Sequence, residues 1–128
     1  MNEKVCFKID NKEFFVEKQL ELESSFTVKS VPRPYSVCLD DSEKPEDQLN
    51  SFLAKNPKNL LVIDKNIYEI YGQAITVNSE RIFVAEATED FKTLHGVTEL
   101  IEFLQKHEFT KGEELIVAGG GIIQDIAA

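Results

Sequence analysis

Residues 113–128 read EELIVAGGGIIQDIAA, and this stretch decides how the chain must fold. It joins an apolar run to three consecutive glycines and an apolar-rich segment, which predicts a strand, a loop and a helix of about two turns. Glycines at such a junction let another group approach the backbone closely, commonly a phosphate bound by N–H groups. A helix this short needs packing to be stable. We therefore expect the chain to be the N-terminal part of a longer protein.

Two further pairs of strand and helix precede this segment. Short apolar runs at residues 59–63 (NLLVI) and 81–85 (RIFVA) are each followed by a helical segment, IYEIYGQ and residues 88–107. Thr88 is the expected N-cap of the long helix. This helix has apolar residues at spacings of three and four, which predicts one apolar face made of Phe91, Leu94, Val97, Ile101 and Leu104. The alternation predicts an α/β, Rossmann-like three-layer domain with a mostly parallel sheet.

The first forty residues alternate apolar and polar side chains as antiparallel strands do. Apolar residues at positions 5, 7 and 9 precede a turn at DNK, and Phe14 and Val16 follow it. The pattern repeats between Phe26 and Leu39. Pro45 then begins a short predicted helix that includes Leu53. We expect residues 1–128 to form a single domain, with a β-rich part at residues 1–40 that extends or flanks the dinucleotide-binding core at residues 59–128.

Composition excludes several classes of function. The chain has 128 residues, 42% of them hydrophobic, and a net charge of −9, so nucleic acid and anionic membrane surfaces would be repelled. Apolar runs fall far short of the ~20 residues that a membrane span needs, and the N-terminus lacks a signal-peptide core. These features indicate a cytoplasmic protein. Cys6 and Cys38 lie in strand-like segments without metal-site spacing, which predicts buried free thiols.

Polar residues follow each of the three strands, at the edge where parallel sheets bind ligands. They are Asp64, Lys65 and Asn66 after the first strand, Glu89 and Lys92 after the second, and Gly119, Gly120, Gly121 and Asp125 after the third. A dinucleotide needs a carboxylate for its ribose hydroxyls, N–H groups for its pyrophosphate and a lysine to offset its charge. Each group alone also has a structural interpretation: a helix cap, a first helical turn, or a tight turn with close helix packing.

The order and spacing of these segments resemble 3-dehydroquinate synthases. LLVIDKNIYEIYG resembles that family's strand-to-helix segment, commonly close to vitD-x-N-v-x-x-l-Yg. EDFKTL resembles its GE-x-x-K-[ST]-L segment, with Thr88 where a glycine usually stands. IVAGGGIIQDIAA resembles its v-A-l-GGG-v-x-x-D-l-A-g loop, with Gln124 where a glycine is frequent. The resemblance covers residues 26–128 and is strongest from Leu60 onward.

The resemblance implies an NAD-binding N-terminal domain of an enzyme that cyclises a seven-carbon sugar phosphate with loss of phosphate, as in the shikimate pathway. It assigns Asp64 and Asn66 to the adenosine side of NAD, and Glu89 and Lys92 to ribose and neighbouring groups. It assigns the glycine loop with Asp125 to the pyrophosphate and the nicotinamide side.

The same resemblance implies a divalent metal, zinc or cobalt, held by a Glu and two His of a C-terminal domain that this chain lacks. His95 and His107 are interpreted as ordinary helix residues. No catalytic or metal-binding residue is therefore assigned to this chain, which we expect to be inactive alone.

Alternatives remain open on sequence alone. The parent protein could be another sugar-phosphate cyclase, acting on a sedoheptulose or glucose phosphate, or a metal-dependent polyol dehydrogenase. The dehydrogenase loop is typically GGG-S-x-x-D, and Ile122 in place of serine favours the cyclases. From a different class, the chain could be a non-catalytic nucleotide-binding or assembly module. A homodimer is compatible with each of these.

Overall fold

The computed structural model describes residues 3–18 and 24–128. The chain divides into two compact units between Ser42 and Glu43. In the first unit, strands β1 (Glu3–Ile9) and β2 (Lys12–Lys18) form one antiparallel hairpin, and β3 (Ser25–Val28) and β4 (Tyr35–Cys38) form another. Asp10 and Asn11 have φ values of 47° and 61°, as the two-residue turn of a type I′ hairpin requires. The predicted β segments are confirmed.

The β1–β2 hairpin has two chemically different faces. On one face Phe7 stacks on Phe14 with ring centroids 5.6 Å apart. On the other face Cys6 lies opposite Phe15, between two cross-strand ion pairs. Cys6 and Cys38 are both free and exposed, so the prediction of buried thiols was wrong. The reason is that each cysteine lies in a two-stranded hairpin, which has little interior to bury a side chain.

The second unit contains a parallel sheet of β5 (Leu60–Asp64), β6 (Ile82–Ala85) and β7 (Leu115–Ala118) in the order β6-β5-β7. The three predicted strands are confirmed. The α-helices are α1 (Pro45–Ala54), α2 (Lys65–Tyr71), α3 (Leu94–Lys106) and α4 (Gly121–Ala127), with short 3₁₀ helices at Gly72–Ala74 and Ser79–Arg81.

Side chains of the central strand alternate between two helical layers, because successive residues of a strand point to opposite faces. Val62 packs in one core cluster with Leu100 of α3 and Ile123 of α4. Leu61 packs in the other with Leu53 of α1, beside residues of α2. The predicted three-layer α/β arrangement is therefore confirmed.

Two residues fix the amino ends of the strands. The Arg81 guanidinium donates hydrogen bonds of 2.7–3.1 Å to the backbone oxygens of Leu53, Asn56 and Asn59. The buried Asn59 amide donates to the Phe52 oxygen at 3.2 Å and accepts from the Glu114 N–H at 2.8 Å. These contacts hold the beginnings of β5 and β7 together, so the strands end at a common edge.

The long helix begins later than the sequence predicts. α3 starts at Leu94, with Thr93 rather than Thr88 as its N-cap. Thr88 instead closes a separate turn, in which its carbonyl accepts from the N–H of Lys92 at 3.2 Å. The Phe91 ring packs on Phe83 in the core, and this brings the Phe91 carbonyl against Gly96, where a Cβ would lie 2.1 Å from that oxygen. A continuous helix would separate these two groups.

The apolar face of α3 also differs from the prediction. Leu94 and Ile101 are 84% and 48% exposed, whereas Gly96 and Leu100 are buried. Since Gly96 must face the Phe91 carbonyl, the helix is rotated so that Leu100 faces the sheet and Leu94 faces outward. The spacing correctly predicted a helix, but of the five residues of the predicted apolar face Phe91 lies before the helix, and Leu94 and Ile101 are on its exposed side.

Candidate functional site

The carboxyl ends of the three parallel strands lie at one edge of the sheet, where the sequence predicts a ligand site. α2 leaves β5 and packs on the face that carries Leu61, whereas α4 leaves β7 and packs on the face that carries Val62. The order of the strands therefore reverses between β5 and β7, and crevices at such a point are the usual ligand sites of open α/β sheets. At this point of the sheet Asp64 ends β5, and the glycine loop follows β7.

Asp64 is the N-cap of α2. Its Oδ1 atom accepts a hydrogen bond from the Asn66 N–H at 2.8 Å. The helix-cap interpretation is thus correct for one carboxylate oxygen, and the side chain of Asp64 is only half-buried. The Asn66 side chain is exposed beside it. Both predicted residues therefore lie at the carboxyl end of β5, with polar atoms accessible from solvent.

A polar cleft of about 230 Å³ joins the ends of β5 and β6. The Nζ atom of Lys65 lies 3.5 Å from Oε1 of Glu86, across the two strand ends. The lining residues are Lys65, Asn66, Glu69, Glu86, Ala87 and Thr88. Sequence reasoning did not single out Glu69 or Glu86. The position of Glu86, directly after a buried parallel strand, was the signal that could have identified it.

Lys92 and Asp125 form a direct ion pair, with Nζ and Oδ2 2.7 Å apart. This contact brings the second and third predicted groups together. The hydrogen bond to Asp125, and then the charge of that carboxylate, raise the pKa of Lys92, and the charge of Glu89 adds to the effect. Glu89 is exposed in the same turn. Three of the predicted site residues therefore share one electrostatic environment.

The three glycines differ in what the fold requires of them. A Cβ on Gly119 would lie 2.7 Å from Cβ of the buried Ile123, so close packing explains this glycine. A Cβ on Gly120 or Gly121 would meet nothing within 4 Å. Among the described glycines none has a positive φ, so the turn does not need glycine conformations either. The structural interpretation thus explains Gly119 but not Gly120 or Gly121.

Gln124 donates hydrogen bonds to two carbonyl oxygens of this loop. Its backbone N–H donates to the Gly120 oxygen and its side-chain Nε2 donates to the Gly119 oxygen, each at 3.1 Å. Within the described part of the chain, the N–H groups of Gly120 and Gly121 have no acceptor. Sequence reasoning identified Gln124 only as a departure from the family pattern. The available signal was the position of Gln124, a long amide side chain five residues after Gly119, from which a hydrogen bond back to the loop could have been predicted.

Metal-binding side chains are not grouped in the part of the chain that the structure describes. Across residues 3–18 and 24–128, no three His, Cys, Asp or Glu side chains are placed to hold one ion. None of the helices in the same ranges combines the length and the apolar character that crossing a bilayer requires.

Comparison with known proteins identifies similar enzymes. The chain is 38% identical over 78 residues to a 2-epi-5-epi-valiolone synthase of Actinomyces sp, a match that covers 56% of this chain and 20% of the relative. It is 30% identical over 74 residues to the 3-dehydroquinate synthase of Streptococcus agalactiae, covering 53% of this chain and 21% of the relative. It is 35% identical over 83 residues to that of Alkaliphilus metalliredigens, covering 62% and 23%.

These comparisons confirm the resemblance to 3-dehydroquinate synthases and related sugar-phosphate cyclases. The matches span about a fifth of the length of these relatives. No family model matches the chain, and no solved structure matches it significantly.

Proposed function

We propose that this chain is the NAD-binding N-terminal domain of a sugar-phosphate cyclase of the 3-dehydroquinate synthase type, with its dinucleotide-binding core at residues 59–128. The single observation that carries the proposal is the open backbone at Gly120 and Gly121. There a Cβ would meet nothing, and the ion-paired Lys92 and Asp125 belong to the adjoining segments. Bare N–H groups, together with a cationic side chain paired to the helix that follows them, suit a pyrophosphate.

The roles of the site residues follow from their chemistry. The N–H groups of Gly120 and Gly121 are free to donate to phosphate oxygens, and the Lys92 ammonium offsets negative charge. Asp64 and Asn66 offer acceptors and an amide donor for ribose hydroxyls. Glu89 holds positive charge on Lys92. Asp125 is assigned to the nicotinamide side, where its bond to Lys92 fixes the direction of the carboxylate.

Bound NAD would supply a hydride acceptor that takes up and returns the same hydride in one turnover. The residues of this chain contribute binding and orientation to that chemistry. The divalent metal, zinc or cobalt, and the sugar-phosphate substrate are proposed for the longer parent protein. On this proposal the isolated chain binds cofactor and has no cyclase activity.

Another sugar-phosphate cyclase is the second candidate for the parent. The 38% identity to a 2-epi-5-epi-valiolone synthase supports it, and Ile122 in place of serine disfavours a polyol dehydrogenase. Both cyclase candidates use the same cofactor site, so the cofactor test applies to each. A parent without a Glu, two His and phosphate-binding lysines after this domain would instead support a non-catalytic module. A cytoplasmic location is part of the proposal for each of these candidates.

The test is titration of NAD into the 128-residue chain, with binding monitored by heteronuclear NMR. Gly120→Val places two methyl groups where phosphate oxygens would meet the loop, and we expect the affinity to fall by at least ~10-fold, or ~1.4 kcal/mol. Gly112→Val is the matched control, because Gly112 is also exposed, with its nearest would-be contact at 3.9 Å. Circular dichroism establishes that both variants fold. Equal affinities for wild type and Gly120→Val would refute the glycine-loop site, and no binding by wild type would refute cofactor binding by this chain.

A further inference from the structure

Gln124 bonds to two successive carbonyls of the glycine loop. The backbone N–H binds the Gly120 oxygen, as in any α-helix, and the side-chain Nε2 binds the Gly119 oxygen, which lies before the helix. The second bond is specific to a side chain with a donor at this length. Gln124 is exposed, so this side chain does not serve the core.

Each of these bonds fixes a whole peptide unit. A trans peptide is planar, and its C=O and N–H point in opposite directions. The Gly119 oxygen belongs to the same unit as the Gly120 N–H, and the Gly120 oxygen to the same unit as the Gly121 N–H. Holding the two oxygens toward α4 therefore directs both N–H groups away from it, where the described residues provide no acceptor.

Without such a bond, the plane of a peptide between two glycines can flip, since neither glycine has a Cβ that restricts φ and ψ. If the Gly119–Gly120 unit flipped, it would present its carbonyl oxygen where the N–H now points. An oxygen in that position repels an anion, whereas an N–H binds it. One side-chain hydrogen bond thus selects between opposite electrostatic faces of the loop.

We infer that Gln124 is a positioning residue for the cofactor's pyrophosphate, acting through the Gly119–Gly120 peptide; this inference rests on the proposed NAD function. Gln124 does not touch the cofactor in this role. Its neighbour Asp125 holds Lys92 at 2.7 Å. Two consecutive residues of α4 therefore fix, respectively, the donors and the cation of the proposed phosphate site.

The test compares two variants that keep the length of the side chain. Gln124→Met lacks the donor and carries no charge. We expect it to bind NAD about three- to tenfold more weakly, because a factor of this size corresponds to the loss of one solvent-exposed hydrogen bond. Gln124→Glu replaces the donor by a carboxylate, and we expect a larger loss. Gln105→Met, at an exposed position of α3, is the matched control and should bind NAD like wild type.

A spectroscopic measurement separates positioning from mere folding. Relaxation dispersion in the free protein should show new microsecond-to-millisecond exchange of the Gly120 amide in Gln124→Met, with unchanged thermal unfolding. If Gln124→Met does not fold, Gln124→Glu is measured in the same way. If a folded variant without the donor bound NAD with the same affinity as wild type, the inference would be overturned and the proposed function would remain intact. Failure of wild type to bind NAD would overturn both.

Discussion

The Nζ atom of Lys92 lies 2.7 Å from Oδ2 of Asp125, and this pair joins the turn after β6 to the helix after β7. The sequence places these residues in separate groups, each with its own interpretation as a local structural feature. Their contact makes the two groups one site. It also couples the charge of the lysine to a residue next to the glycine loop.

Asp125→Asn should lower the pKa of Lys92 toward the ordinary lysine value of 10.5, because it removes the carboxylate that raises it. A lysine whose folded-state pKa is raised contributes stability below its unfolded pKa and loses it as pH rises through the folded value. The wild type should therefore lose this contribution above about pH 10.5, whereas the variant should retain only the small part that Glu89 contributes. NMR titration of the Lys92 ¹³Cε measures the pKa directly. Asp90→Asn, in the same turn, is the control, and an unchanged Lys92 pKa in Asp125→Asn would contradict the prediction.

Gly119→Ala should destabilise the chain by about 1–3 kcal/mol, because the new methyl group overpacks against Ile123. Gly121→Ala is the matched change two residues away. It adds the same methyl group in open space, and should leave the free energy of unfolding unchanged or raise it by up to ~1 kcal/mol. Urea denaturation measures both. Equal destabilisation by the two substitutions would show that the loop as a whole requires glycine.

Gly96→Ala should destabilise the chain by about 2 kcal/mol or more, because its Cβ would lie 2.1 Å from the Phe91 oxygen. Helix propensity alone predicts the opposite sign, a gain of about 1 kcal/mol. Chemical denaturation decides between them, with Thr98→Ala at an exposed position of α3 as control. A stabilised Gly96→Ala protein would mean that the turn before α3 is not held as described.

Asn59→Ala should cost about 2–3 kcal/mol, because it removes two hydrogen bonds and leaves the Glu114 N–H unpaired, while the Phe52 oxygen keeps its bond from the Lys55 N–H. Gln73→Ala, at an exposed position, should change the free energy of unfolding by less than ~0.5 kcal/mol. Thermal and urea unfolding provide the measurement. An Asn59→Ala variant as stable as wild type would show that water replaces both bonds.

The sheet could be predicted because its strands are short continuous apolar runs separated by helical segments, a pattern that parallel sheets produce. The start of α3 could not, because the contact between Phe91 and Gly96 exists only after the chain folds back. Thr88 has every local property of an N-cap, and tertiary packing of the Phe91 ring overrides it. The exposed Leu94 follows from the same contact.

The candidate site could be proposed from the sequence as a set of residues, but its geometry could not be predicted. Strand ends identified Asp64, Lys92 and Asp125, since all parallel strands end at one edge. The ion pair between the last two depends on side-chain directions that no spacing fixes. Glu86 and Gln124 were missed because single polar residues on a surface are common. Only their contacts with Lys65 and with the Gly119 oxygen in the folded structure distinguish them.

The central position of β5 has a consequence for biosynthesis. Leu61 pairs with Ile82 on one side and with Ile116 on the other, and the Asn59 side chain closes on Glu114, 55 residues later. On the ribosome, the most apolar strand therefore emerges well before its second neighbour exists. Until residues 115–118 leave the exit tunnel, the nascent chain exposes one edge of a Leu-Leu-Val-Ile run. During that interval β5 is an exposed apolar segment to which a chaperone can bind, and a pause in translation there would prolong its exposure to aggregation.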